Sequence, residues 1–255
     1  MALEVFTARA QRQAAQQKDN LCGPFWAARL LAEAGIETWD GEQLDDDLVA
    51  LRAGTILPEP DDGSVPSGAE SRTGYRFKLP RAEPDLSGTA AGRLAEAIEG
   101  ASGGALRCVP MRGAWTEQRV SDLVDGAGLA RLIANVRTGA FWGSRPTFDA
   151  LLAELRGEPV AGPPADWDVG HFCKLELLVR GPGGALVLVH DSYPSFGWGG
   201  RHLQPPRAVA AALLRGDGRE GGVLAVVRPE HAGYVEALAR DLGLEIGIWD
   251  NGTRS

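Results

Sequence analysis

The feature that most constrains the fold of this chain is a pair of apolar stretches joined by turn residues. Residues 171–180 read HFCKLELLVR and residues 185–191 read ALVLVHD, with GPGG between them. Two runs rich in Val and Leu on either side of a Gly-Pro turn predict a β-hairpin. Because hairpin strands are antiparallel, His171 at the start of the first strand and Asp191 at the end of the second should meet at one edge of a sheet.

Helix and strand patterns follow one another along the rest of the chain and predict an α+β fold with a mainly antiparallel sheet. Helices are expected at 3–18, 23–34, 42–52, 89–99, 116–125, 146–156, 206–215 and 230–242, and further strands at 105–110, 131–137, 222–227 and 244–249. Residues 54–90 are crowded with Pro, Gly, Ser and Asp, which predicts a long loop or insertion. No internal repeat or domain boundary is evident, so a single domain over 1–255 is expected.

Composition narrows the class of protein. The 255 residues are 44% hydrophobic and 24% charged, which is ordinary for a globular domain, and the formal net charge is −8. That charge argues against a nucleic-acid or anionic-membrane partner. The N-terminus lacks the apolar core of a secretory signal, and no run approaches the roughly 18 apolar residues of a membrane span, so a cytoplasmic location is expected.

Three cysteines, Cys22, Cys108 and Cys173, provide neither an even-numbered disulfide framework nor a Cys-x-x-Cys pair. Cys22 stands apart because it falls where the helix expected at 23–34 begins, after the polar residues Lys18-Asp19-Asn20. A thiol attacks an acyl carbon as the thiolate, and a helix N-terminus with a nearby imidazolium favours that form. Gly23 would permit close approach of a substrate backbone. Cys22 is therefore the candidate nucleophile.

His171 and Asp191 supply the other two groups of a catalytic triad. A carboxylate that holds one imidazole nitrogen leaves the other to face the thiol. Acyl transfer also needs donors for the developing oxyanion, commonly a backbone N–H of the nucleophile and a side-chain amide. Gln16, six residues before Cys22, is the candidate amide, with Gln17 as its rival. Asp191 has an alternative role, which is to cap the loop SYPSF that follows it.

These residues resemble the papain-like cysteine peptidase superfamily. The similarity comprises a Gln six positions before Cys-Gly-Pro at a helix start, then Gly-His-aromatic on a distant strand and Asp at the end of the next strand. It is greatest toward the bacterial bacteriocin-processing, double-glycine-leader peptidases. The resemblance implies a helical N-terminal part that carries the nucleophile and packs on an antiparallel sheet. It also implies that Cys22 is the nucleophile, His171 the base, Asp191 its orienting group and Gln16 part of the oxyanion hole.

The function expected on this basis is a papain-like thiol hydrolase that forms an acyl-enzyme at Cys22 and cleaves an amide or peptide bond. No cofactor or metal is expected, and the partner is a peptide or another acyl donor. Two alternatives stay open: a cysteine-dependent acyltransferase or transpeptidase on the same triad, and a non-catalytic peptide-binding module.

Other residues near the proposed triad have two interpretations each. Four aromatic residues flank the triad and could either form substrate subsites or pack in the protein interior: Trp167, Tyr193, Phe196 and Trp198. Gly170, directly before His171, has the same two interpretations. Cys173 shares a strand face with His171, so a metal site with Cys22 or His190 is a further alternative. Cys108 lies in a short apolar strand and is expected in the core.

Overall fold

The hairpin expected from the sequence lies within a seven-stranded antiparallel sheet in the computed structural model, which describes residues 16–60 and 65–254. Within this part of the chain the strands are β1 (Thr38–Trp39), β2 (Glu42–Gln43), β3 (Leu57–Pro58), β4 (Arg81–Ala82), β5 (Arg107–Arg112), β6 (Arg131–Arg137), β7 (Gly170–Arg180), β8 (Ala185–His190), β9 (Arg201–Gln204), β10 (Gly222–Val227) and β11 (Glu245–Ile246). The order of strands in the large sheet is β11-β5-β10-β6-β7-β8-β9. The β1–β2 and β3–β4 pairs stand outside it.

Helices cover both faces of this sheet. They are α1 (Cys22–Glu33), α2 (Asp46–Arg52), α3 (Ala91–Ala101), α4 (Glu117–Gly126), α5 (Phe148–Arg156), α6 (Pro206–Leu214) and α7 (Pro229–Asp241). Helices α1, α2 and α3 pack in one core, and α4, α6 and α7 pack in the other. The fold is therefore a mixed α and β structure built on one large antiparallel sheet.

Strand β10 is apolar throughout because it is buried on both faces of the sheet. Val223, Ala225 and Val227 belong to the core with α4, whereas Leu224 and Val226 belong to the core with α1. Successive side chains in a strand point to opposite faces, so a strand covered on both faces needs apolar residues at every position. The predicted bounds 131–137 and 222–227 for β6 and β10 are confirmed.

Three expectations differ from the structure or lie outside it. The helix expected at 3–18 falls mostly on residues 1–15, which are outside the described residues, and 16–18 are not helical. The helix expected at 42–52 begins only at Asp46, because the Asp45 side chain accepts from the Leu48 N–H and so caps the helix there. The strand expected at 244–249 is only Glu245–Ile246, the sheet edge beside β5.

The segment expected to be a loop, 54–90, has little regular structure in its described parts. It contains β3, β4 and the short 3₁₀ helix Pro84–Leu86. It nevertheless packs: Leu57 and Leu79 are buried in a small cluster with Leu21, the residue before Cys22. The loop thereby supports the segment that leads into α1. Among the described residues, no helix has the length and apolar character needed to cross a bilayer.

Candidate active site

Cys22 is the first residue of α1, as the sequence predicts. Asn20, two residues before Cys22, has a φ of +62°, a left-handed conformation that Asn tolerates better than most residues. The N-cap residue, Leu21, provides no side-chain cap to this helix end. The Phe172 backbone N–H, on β7, donates to the Cys22 Sγ over 3.4 Å. The thiol is thus held between a helix start and the strand that carries His171.

His171 and Asp191 form a buried pair at one end of the hairpin. The Nε2 of His171 lies 3.1 Å from Oδ2 of Asp191. The other carboxylate oxygen, Oδ1, accepts from the Tyr193 backbone N–H at 2.9 Å. Burial by itself would raise the pKa of Asp191, but the positive charge and hydrogen bond of His171 lower it below its ordinary value.

A β-bulge puts the two side chains on the same face of the sheet. Near the turn Leu178 pairs with Val187, but beyond a register shift Leu175 pairs with Val189. Residues 171 and 175 share a face, as do 189 and 191, so His171 and Asp191 project together. Without the extra residue the register of the turn would put them on opposite faces.

The Cys22 thiol lies beside the residue that follows His171, since its Sγ accepts from the Phe172 N–H. Because Nε2 of His171 lies 3.1 Å from Asp191, Nδ1 is the ring nitrogen left to interact with the thiol. Burial disfavours the imidazolium, but Asp191 and Cys22 together outweigh it and raise the pKa of His171 to about 10. The three residues therefore form a charge-coupled Cys–His–Asp cluster.

A second buried histidine, His202, lies near Asp191. The Gln204 side chain is fixed by the Trp142 backbone, accepting from its N–H and donating to its carbonyl. Its Nε2 also lies 2.9 Å from Nδ1 of His202, so that nitrogen accepts and His202 is neutral. Burial lowers the pKa of His202 to about 4. His202 and Asp191 line a common cavity of about 20 Å³.

The two glutamines before Cys22 have different positions from those expected. Gln16 donates its side-chain amide to the Glu70 carbonyl at 2.5 Å, so it is not bonded to the cluster. Gln17, the rival, is 1% exposed and donates to the Tyr193 hydroxyl at 3.1 Å. Its amide oxygen accepts from the Ser192 hydroxyl. The structure therefore corrects the assignment: Gln17, rather than Gln16, faces the residues around Asp191.

The remaining predicted site residues divide into two groups. Trp167, Gly170 and Tyr193 line the cleft at Cys22, with the Trp167 ring edge-on to His171 at a centroid distance of 5.3 Å. Gly23 and Trp198 do not line it. A β-carbon on Gly23 would come within 3.2 Å of Leu94 and Phe172, so this glycine serves helix packing. Trp198 is 60% exposed and pairs through its backbone with Arg201.

We call this space the Cys22 cleft. It has a volume of about 290 Å³, and its walls are mostly polar. The near end is formed by Asn20, Cys22, His171 and Tyr193, and the far wall by Ser87 to Thr89 together with Asn251 and Thr253. Asn251 donates to the Thr89 carbonyl and Thr253 to the Ser87 carbonyl, which joins the two segments of that wall.

Sequence reasoning missed several residues of the cleft. Arg137, Arg215 and Arg219 all line it. Arg137 ends the strand beside His171, which the strand pattern could have indicated, since Arg137 pairs with Gly170. Arg215 follows a helix and Arg219 lies in a loop, so no local pattern marks either.

The other two cysteines are core residues. Cys108 is buried beneath α3, and burial raises the pKa of its thiol to about 12. Cys173 is fully buried in the opposite core, where burial also raises its thiol pKa.

Within residues 16–60 and 65–254, the carboxylates of Asp45, Asp46 and Asp47 are the single group with metal-ligand spacing, and it includes neither Cys173 nor His190. His190 instead bonds Glu176.

The fold and cluster define an α+β protein with a Cys–His–Asp cluster at one end of an antiparallel sheet. The chain belongs to a family of unknown function, DUF6885, whose model matches residues 5–250. No curated protein and no solved structure matches the chain.

Proposed function

We propose that this protein is a papain-like thiol hydrolase that forms an acyl-enzyme at Cys22 and cleaves an amide or peptide bond. The observation that carries the proposal is the position of His171, whose Nε2 lies 3.1 Å from Asp191 while the next residue, Phe172, donates its N–H to the Cys22 sulfur. The charges of Asp191 and Cys22 counter the effect of burial and raise the pKa of His171. A buried imidazole held by a carboxylate and facing a thiol is the arrangement that thiol-dependent acyl transfer requires.

The reaction proceeds in two halves. The Cys22 sulfur attacks the acyl carbon, a C–S bond forms, and the C–N bond breaks as the His171 imidazolium gives its proton to the leaving nitrogen. Water then attacks the thioester while His171 removes its proton, the C–S bond breaks, and the carboxylic acid product leaves. Asp191 keeps the imidazole oriented through both halves, and its own hydrogen bond to the Tyr193 N–H keeps it fixed.

The oxyanion donors are the Cys22 backbone N–H, at the start of α1, and the Tyr193 hydroxyl. The N-cap residue of that helix, Leu21, provides no side-chain cap. The Tyr193 oxygen accepts from Gln17 Nε2, so its own proton is directed away from Gln17, and Tyr193 lines the cleft. Gln17 therefore acts by orienting Tyr193. This arrangement replaces the role that the sequence suggested for Gln16.

Hydrolysis of a panel of chromogenic peptide esters and anilides tests this function. We expect Cys22→Ser and His171→Gln to lower kcat by at least about 10³-fold, because nucleophile and base act as a unit. Cys108→Ala is the matched control: it removes a buried core thiol that does not line the cleft. Turnover that survives in Cys22→Ser at the wild-type rate would refute the proposal. Adding an amine to the assay shows whether it competes with water for the acyl group.

A further inference from the structure

The Cys22 cleft brings three arginines together in a chain whose formal net charge is −8. Arg137, Arg215 and Arg219 are widely separated in the sequence, yet all line the cleft, as do Asp85 and Asp168. Each arginine contacts at least one aspartate. Its ability to bind a ligand therefore depends on the N–H donors that these contacts leave free.

Arg215 is the deepest of the three. Its side chain is 1% exposed, and its backbone has a φ of +51°, which a side-chain-bearing residue rarely adopts. Its Nε and Nη2 donate to Asp217, and its Nη1 donates to Asn135. Among the described residues these bonds use three of the five N–H groups of a guanidinium. A β-carbon on Gly170 would lie 3.1 Å from Nη2, so the group rests against the residue before His171.

Arg137 and Arg219 line the cleft together with Arg215, and we call these three residues the arginine wall. Arg137 pairs with Gly170 across the sheet, its Nε donates to Asp168 at 2.5 Å, and its Nη1 lies 3.5 Å from Asp217. Arg219 donates from Nη2 to the carbonyl of Asp85 and, at 3.3 Å, to its carboxylate, which is 95% exposed. Both arginines retain further N–H groups within the described part of the structure, and their side chains are 32% and 29% exposed. The arginine wall is therefore rich in donors although its charges are nearly balanced.

We propose that the Cys22 cleft takes an acyl donor that carries a carboxylate, which Arg137, Arg215 and Arg219 bind beside the triad. A guanidinium presents its donors in a planar fork that matches the two oxygens of a carboxylate. The arginine wall begins next to His171, so the carboxylate and the reacting acyl group occupy one cleft of about 290 Å³. The inference rests on the proposed function, because it names the substrate class of the same site.

Alkylation of Cys22 with two reagents tests it without a known substrate. Iodoacetate and iodoacetamide are nearly the same size, and each forms a C–S bond as iodide leaves, but only iodoacetate has a carboxylate. The second-order rate constants at Cys22 are measured by peptide mass mapping and divided by those for free cysteine. The proteins are wild type, Arg137→Gln, Arg219→Gln and the double variant. Arg240→Gln, which removes the same charge from the outer surface of α7, is the control.

We expect the ratio of iodoacetate to iodoacetamide rates to fall roughly threefold in each single variant and about tenfold in the double variant. The iodoacetamide rate reports any change in the reactivity of the thiol itself, which the ratio removes, and Arg240→Gln should match wild type. A double variant with an intact thermal transition and the wild-type ratio would overturn the inference. If Cys22 of the wild type reacted with both reagents no faster than Cys108, the proposed function itself would fail, so the two failures are distinguishable.

Discussion

The Nε2 of His171 lies 3.1 Å from Oδ2 of Asp191, and each of these side chains is only 2% exposed. A solvent-exposed pair at this distance would contribute little, whereas a buried one controls the charge of its partner. This contact is what allows a histidine inside the protein to be positively charged.

Asp191→Asn should lower the pKa of His171. Burial works against the imidazolium, and Asp191 and Cys22 counter it to raise the pKa to about 10 in the native protein. With the carboxylate replaced by an amide, we expect the midpoint to fall by at least about 1 unit, equivalent to roughly 1.4 kcal/mol. NMR titration of labelled histidine measures this, with His171→Gln to assign the signal. An unchanged midpoint in Asp191→Asn would contradict the account of the pair.

His202 should make the protein less stable as the pH falls. Its pKa is lowered to about 4 by burial, while the unfolded chain protonates histidine near 6.5. Between pH 6.5 and 4 the unfolded state binds the extra proton, so stability declines on acidification by up to about 1.4 kcal/mol per pH unit. His202→Gln should remove this component of the slope, measured by urea unfolding.

His231→Gln provides the matched control for that measurement, because His231 lies on α7 and belongs to neither the cluster nor its supporting bonds. A slope in His202→Gln that equals the wild-type slope would show that His202 does not enter the native state in its neutral form.

The two adjacent glutamines should differ sharply in their effects. Gln17→Ala removes the bonds of Gln17 to the buried Ser192 and Tyr193 hydroxyls, which should cost about 1–3 kcal/mol of stability and lower kcat. Gln16→Ala removes only a bond to a loop carbonyl, with an expected effect within about 0.5 kcal/mol. Thermal unfolding and steady-state kinetics of both variants test this pair. Equal losses, or a larger loss in Gln16→Ala, would restore the assignment based on spacing.

Tyr193→Phe separates the oxyanion role from packing. The ring stays beside His171, with which it stacks at a centroid distance of 6.2 Å, and only the hydroxyl is lost. Removing one oxyanion donor should lower kcat for ester hydrolysis by roughly 10²-fold. Alkylation of Cys22 by iodoacetamide forms no oxyanion and should keep its rate. A parallel loss in both assays would instead mean that the hydroxyl acts on the thiol or the fold.

Much of the fold follows from the sequence because several strands have strong local patterns. The apolar runs at 131–137 and 222–227 are bounded by charged and turn residues, and they are strands at these bounds. The edge strand Glu245–Ile246 is shorter than the expected 244–249, because apolar residues that continue past it belong to the core. Trp249 packs beside α3 and donates to Asn135. A burial pattern by itself does not distinguish a strand from an extended chain that packs without pairing.

The candidate site was harder to predict, for three physical reasons. Side-chain direction depends on details such as the bulge between Leu175 and Leu177, which puts Asp191 on the face of His171 and leaves no mark in residue types. The far wall of the cleft joins Ser87 to Thr89 with Asn251 and Thr253, which belong to two segments without helix or strand periodicity. Spacing from Cys22 likewise could not choose between Gln16 and Gln17, which are neighbours in the chain.

The most direct test of the central claim is to trap the acyl-enzyme. Wild type, Cys22→Ala and Cys108→Ala are mixed with an activated acyl ester, quenched in acid within a turnover, and analysed by intact-protein and peptide mass spectrometry. The account predicts one acyl group of the donor mass on Cys22 in wild type and Cys108→Ala, and none in Cys22→Ala. An acyl group found on another residue, or turnover of the ester by Cys22→Ala at the wild-type rate, would contradict it.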